Sequence, residues 1–195
     1  VGVFALVGSS TMKEERYADN LRFFRTSEKV FESSEPIYYP DDEVTLRLIS
    51  YYPYQEEGVN MGESTMSVAV ETDQNLSAGY FCSDFLVASQ NLQSAPKGAI
   101  ALHYDHKFFK LKIALVGKEG EELQGILDAD PKLSVCGFYT KAIYDFQKET
   151  YSAFSNEKSI TPAGKWEIQG DRLSGKEVIL IPQETTLGYQ YIVLD

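Results

Sequence analysis

The chain has 195 residues, with 18 Lys+Arg against 29 Asp+Glu and a formal net charge of −11. At 43% hydrophobic and 24% charged it has the composition of a folded protein with a sizeable core, which excludes global disorder. The acid excess excludes a nucleic-acid backbone as partner, since that needs clustered Lys and Arg to release counterions, and it argues against an anionic membrane face.

An aromatic fraction of 13%, from 13 Tyr and 11 Phe, leans towards β structure. The chain opens on Val1-Gly2-Val3-Phe4-Ala5-Leu6-Val7 with no initiator Met and no basic flank. That run is too short for a signal-peptide core, so the sequence reads as a mature or trimmed piece. No apolar run approaches the roughly 20 residues of a membrane-spanning helix. Ser9 to Tyr17 suggests a short helical turn after a Ser/Thr cap. Val44, Leu46 and Leu48 then alternate with Thr45 and Arg47, as do Met66, Val68 and Val70 with Ser67 and Ala69, which is the period of strands. Asp84 to Asn91 suggests a second helical turn.

Ile100, Leu102, Tyr104, His106 and Phe108 form one apolar face, and Phe109, Leu111, Ile113 and Leu115 continue on the other parity. A one-residue slip moves the whole apolar set to the opposite face, so a bulge or bend is expected near Phe108-Phe109. Further strands read as Leu133 to Tyr139, Ala142 to Phe146, Lys165 to Gln169, Val178 to Ile181 and Tyr189 to Leu194. Turn signals separate them, among them Pro40-Asp41-Asp42, Asn60-Met61-Gly62, Gly117-Lys118-Glu119-Gly120 and Pro162-Ala163-Gly164. Short strands spaced in this way predict an all-β antiparallel sandwich. The charge-rich, apolar-poor stretch from Gly117 to Asp130 marks the expected boundary between an amino-terminal sandwich, 1–117, and a smaller or incomplete second one, 118–195.

Side-chain chemistry is sparse. The chain lacks a nucleophile elbow, a phosphate-binding loop and a dinucleotide fingerprint. His103 and Asp105 would share one strand face while His106 points to the other. His106 therefore reads as a core histidine and His103 as an exposed one, with no metal or cofactor expected. Cys82 and Cys136 read as two small buried hydrophobes, open to pairing in an oxidising compartment. Asp41-Asp42-Glu43, Glu56-Glu57 and Glu121-Glu122 read as solvated loop charge. Tyr51-Tyr52-Pro53-Tyr54 offers two readings: an aromatic contact surface for sugar through Tyr51, Tyr52 and Tyr54, or inward packing at a strand end that Pro53 terminates. These observations predict a chain that is not an enzyme.

Several segments, in order, resemble the fimbrillin-like family of Bacteroidetes cell-surface proteins. They are the opening Gly2-Val3-Phe4-Ala5; Tyr17, Asn20-Leu21, Phe31 and Pro36-Ile37-Tyr38-Tyr39-Pro40; and Leu48-Ile49-Ser50-Tyr51-Tyr52-Pro53-Tyr54, similar to the family's A-Y-Y-P-Y strand end with Ser50 in place of Ala. They continue with Ser83-Asp84-Phe85-Leu86-Val87-Ala88, with Tyr104, His106, Phe109-Lys110-Leu111 and Ile113, and with Leu180-Ile181-Pro182-Gln183. The resemblance implies transthyretin-like β-sandwiches, an exported lipoprotein precursor, and a cell-surface fimbrial (pilus) subunit or fimbria-associated adhesin on the bacterial outer membrane.

Its implied partners are other fimbrial subunits and a host glycan or protein receptor. Membrane contact would come only through a lipid anchor lost with the precursor segment. Stalk assembly in the family removes an amino-terminal segment and refills the groove with a neighbour's strand. Carried onto this sequence, the removable strand is Val1, Val3, Ala5 and Val7 with the residues between them. The candidate processing sites are Arg16, Arg22 and Arg25, because a trypsin-like protease needs an exposed basic loop. After its Pro-Gln strand end the chain departs from the family pattern of further strands, so the second sandwich is expected to be small, incomplete or completed by a partner. The alternative function is a surface carbohydrate-binding module.

Overall fold

A computed structural model describes residues 1–40, 44–118 and 122–195. The acidic run Asp41-Asp42-Glu43 lies outside the described residues, as do Glu121 of the Glu121-Glu122 pair and the Glu119-Gly120 half of the turn expected after Gly117. In chain order the elements are β1 (Gly2–Val7), β2 (Ala18–Arg22), β3 (Phe24–Ser27), β4 (Val30–Glu32), β5 (Leu46–Tyr52), β6 (Thr65–Ala69), α1 (Ser77–Cys82), β7 (Leu86–Leu92), β8 (Asp105–His106), β9 (Phe109–Val116), α2 (Leu123–Asp128), β10 (Leu133–Val135), β11 (Tyr139–Asp145), β12 (Thr150–Glu157), β13 (Glu167–Gln169), β14 (Arg172–Leu180) and β15 (Ile192–Leu194). The protein is thus nearly all-β, of the antiparallel sandwich class.

By contact the chain divides into two compact units: residues 1–67, 85–107 and 143–150, and residues 68–84, 108–142 and 151–195. The chain returns to the first unit twice, so a single cut between 117 and 118 does not reproduce this grouping.

In the first unit the main sheet runs β2-β1-β5-β7-β8. Strand β1 pairs antiparallel with β2 on one side and with β5 on the other, from Gly2 opposite Tyr51 to Val7 opposite Leu46. Both faces of β1 are covered; Val3, Phe4, Ala5 and Leu6 are all buried. An interior strand buried on both faces needs an unbroken apolar run, which is what Gly2–Val7 supplies instead of the alternation of half-buried strands. Strands β3 and β4 form a separate two-stranded hairpin in which every residue is exposed.

In the second unit β13-β14-β9 make one sheet and β10-β15 another. Buried Gln74 works as a substitute strand residue: its amide nitrogen donates to the Ile179 carbonyl (2.8 Å) and its amide oxygen accepts from the Ile179 N–H (2.8 Å). Both buried main-chain groups of Ile179 are thereby satisfied. Trp166 is buried, and its indole N–H donates to the Pro131 carbonyl (2.9 Å). A third sheet has the order β12-β11-β6.

Several expectations are corrected. Asp84 to Asn91 is not helical. It supplies β7, which pairs with β5 from Leu46 opposite Leu92 to Tyr52 opposite Leu86. Long-range pairing decided a local pattern that was ambiguous, and the nearby helix α1 ends before it. Ser9 to Tyr17 forms turns only, with bonds such as Ser10 N–H to Val7 O and Glu14 N–H to Thr11 O. Ile100 to Tyr104 is irregular, and only Asp105–His106 pairs. The parity change at Phe108-Phe109 is where the chain leaves one unit and begins β9 in the other, rather than a bulge within one strand. His106 is exposed on the short β8, not in the core; His103 is exposed as expected. Cys82 is exposed at the end of α1, and Cys136 is partly exposed with Sγ 3.4 Å from Ser159 Oγ; both are free.

Candidate functional site

Pairing partners in a sheet share a face, so the register of β1 and β5 sorts the side chains of the first unit into two sets. Gly2, Phe4 and Leu6 lie with Ile49 and Tyr51 on one face; Val3, Ala5 and Val7 lie with Leu46, Leu48 and Ser50 on the other.

The first face is an aromatic core. Tyr51 is fully buried and stacks on Phe4 with ring centroids 5.8 Å apart, and Phe146 meets both rings edge-on at 6.2 and 6.1 Å. Gly2 permits this packing, because a Cβ there would fall 2.3 Å from the Tyr51 ring. The Tyr51 hydroxyl donates to Asn20 Oδ1 (2.7 Å), with the Gln55 carbonyl 3.1 Å away. Tyr51 therefore takes the inward-packing reading and presents nothing to a sugar. Tyr52 and Tyr54 are partly exposed, and Tyr54 lies under the Arg22 guanidinium (5.1 Å).

Burial pushes the Tyr51 phenol up to about 12, while the same group in the unfolded chain ionises near 10. Above pH 10 the unfolded state sheds this proton first. The stability Tyr51 contributes is therefore whole below pH 10 and is lost as the pH rises to about 12. Urea midpoints measured from pH 8 to 12 are expected to fall over that window, and to fall less steeply in Tyr51→Phe. Burial also raises the Tyr104 phenol, so the slope should flatten rather than vanish.

The three arginines occupy different environments. The Arg16 side chain is buried: Nε donates to the Met12 carbonyl, Nη1 to Asp19 Oδ1 and the Val59 carbonyl, and Nη2 to the carbonyls of Asn60 and Glu63, at 2.6–3.0 Å. Its guanidinium carbon sits 5.3 Å from the Phe4 ring centroid. A protease cannot engage such a side chain without local unfolding. Arg22, at the end of β2, is exposed and lies over Phe24 (4.7 Å). Arg25 is exposed in the β3–β4 hairpin, bonded only weakly to the Ser27 carbonyl (3.3 Å).

The second face floors an apolar groove of about 710 Å³. Val3, Leu46, Leu48 and Leu92 form the floor, and Ile37 and Ile100 stand beside it. Tyr39 closes one side, its hydroxyl donating to the Val44 carbonyl (2.7 Å). Sequence reasoning missed the groove because residues 33–39 and 93–99 carry no strand period, and the apolar alternation from Ile100 to Tyr104 reads as a strand face where the chain is irregular. Among the described residues no group of three His, Cys, Asp or Glu is placed to hold a metal ion.

This is a β-sandwich protein whose distinctive features are an interior first strand, an exposed hairpin and an apolar groove rather than a constellation of reactive side chains. The fimbrillin-like family model matches residues 1–195, and the chain belongs to that family. It is similar to a crystal structure described as a "putative cell adhesion protein" from Bacteroides uniformis ATCC 8492, at 20% identity and a TM-score of 0.64, over 99% of this chain and 70% of that one. A second, with the same description, is from Bacteroides ovatus ATCC 8483, at 14% identity and a TM-score of 0.62, over 95% and 69%. At these identities the likeness is one of fold. Among curated protein sequences there is no significant match.

Proposed function

We propose that the chain is a cell-surface fimbrial subunit or fimbria-associated adhesin that assembles with other subunits by β-strand addition. In this reading it resides on the bacterial outer membrane, its precursor carries a lipid anchor, and it has no catalytic activity. Membership of the fimbrillin-like family and the descriptions of its structural neighbours support the adhesion role. The observation that carries the strand-exchange part is the position of β1. It lies between β2 and β5 with main-chain bonds to both, so its loss would strip partners from an interior strand. Unpaired main-chain groups demand replacements, and an incoming strand supplies them. The carbohydrate-platform reading is weaker, since its first aromatic, Tyr51, is buried.

Exposure favours Arg25 or Arg22 over the buried Arg16 as the processing site. A cut at either leaves β1 and β2 covalently free but still paired to the sheet through β1. Brief trypsin treatment with amino-terminal sequencing is expected to give a new end after Arg25 or Arg22. On light scattering the trimmed protein is expected to shed residues 1–25 slowly and form oligomers, while the uncut chain stays monodisperse. A trimmed protein that sheds the fragment yet stays monomeric, and does not rebind a labelled peptide of residues 1–9, would rule out strand exchange.

A further inference from the structure

The groove on the second face of the sheet plays no part in the assembly reading. Its volume, about 710 Å³, lies within the range of roughly 300–1,000 Å³ typical of small-molecule sites, and its walls are mostly apolar. A peptide strand suits its floor poorly. On the floor β5 is paired along its length with β1 on one side and β7 on the other, so the main chain beneath Leu46 and Leu48 offers no free donors or acceptors. The amides of a peptide laid there would lose water without gaining partners. An alkyl chain has no such groups to satisfy.

The polar groups in the groove set the head. Ser50 is fully buried and its single hydroxyl proton goes to the Gly2 carbonyl (3.0 Å). The Tyr104 hydroxyl, 2.6 Å from Ser50 Oγ, must therefore be the donor in that pair. Both protons are committed, and the Tyr104 oxygen is left with acceptor capacity only. A carboxylate head, which only accepts, finds no donor at this pair; a hydroxyl head can donate to the Tyr104 oxygen. Charge agrees: Lys29 and Glu35, of opposite sign, both line the groove, and the chain carries −11 overall, so no positive field gathers an anion.

We propose that this groove binds a single long acyl chain bearing an uncharged, hydroxyl-containing head, with 1-palmitoylglycerol as the representative ligand, and that the Tyr104 oxygen accepts from the head. The inference does not depend on strand exchange.

The test uses the uncut full chain, with 1-palmitoylglycerol and palmitate below their aggregation thresholds, followed by titration calorimetry and native mass spectrometry. The monoacylglycerol is expected to bind saturably at one per chain, at least tenfold tighter than palmitate. Val30→Glu and Ala101→Trp change exposed residues that line the groove, so folding should be intact by circular dichroism while affinity falls at least tenfold. Tyr104→Phe should weaken the monoacylglycerol about five- to tenfold and leave palmitate unchanged. Absence of saturable binding, or binding indifferent to both groove variants, overturns the site. Palmitate binding as tightly as the monoacylglycerol, or a Tyr104→Phe variant that binds it normally, overturns the assignment of the head.

Discussion

Arg16→Met is expected to destabilise the first unit by about 3–5 kcal/mol, the cost typical of removing one partner from a buried charged network. The guanidinium closes a loop system by itself. It joins the turn at Met12 to the carbonyls of Val59, Asn60 and Glu63, more than forty residues away in sequence. Met fills much of the same volume but leaves four carbonyls and the Asp19 carboxylate without this donor. Water reaches Asp19, which is 41% exposed, so the larger loss comes from the buried acceptors. Lys keeps the charge but not the planar fork, and it cannot reach carbonyls on both sides at once; Arg16→Lys should recover less than half the loss. For a chain of this length each kcal/mol moves the thermal midpoint by about 2–4 °C, so Arg16→Met should melt roughly 10 °C lower. A urea series followed by near-ultraviolet circular dichroism, which reports the Tyr51 cluster, checks it. A loss below about 1 kcal/mol would show that the loops hold themselves without the guanidinium.

Arg16 also shows where sequence stops informing. Nothing in Met12-Lys13-Glu14-Glu15-Arg16 separates a buried arginine from the exposed Arg22 and Arg25. Its burial depends on the loop around Val59 closing over it, which is a long-range fact. The sandwich class was readable because Val44, Leu46 and Leu48, and again Met66, Val68 and Val70, carry the two-residue period in their own residues. Strands without it escaped notice. Strands β3, β4 and most of β12 are exposed on both sides, so burial imposed no alternation on them. In β7 the adjacent apolar residues Leu86, Val87 and Ala88 followed by Leu92 fit a helix face as well as a strand, and only pairing with β5 resolves the choice. The same limit explains His106. Its parity was apolar, but β8 is two residues long at the end of the sheet, where no second layer of core is needed. Motif order was informative in a different way: it pointed to the family through residues such as Tyr51 and Gly2, whose shared reason is ring packing against a strand without a Cβ.

That packing makes Phe4→Ala the variant that links stability to the proposed assembly. Phe4 is fully buried, stacked on Tyr51, met edge-on by Phe146 and capped by the Arg16 guanidinium. Truncation removes the largest side chain on β1 and opens a cavity that neighbouring rings cannot fill without tilting, at a cost of about 3–5 kcal/mol in the uncut chain. In the trimmed protein the same loss falls on the grip that β1 has on β5. If it appears in the dissociation rate, as most affinity differences at one interface do, residues 1–25 should leave about 100- to 4,000-fold faster than from the unaltered trimmed chain. Tyr17→Ala, at a residue 45% exposed, serves as the control and should change neither quantity appreciably. The two readouts separate the two claims. A stability loss in the uncut chain with unchanged fragment release would leave the aromatic core intact as an explanation of the fold. It would also show that β1 is not held in the trimmed protein by the face that Phe4 supplies, and strand exchange at that position would fail.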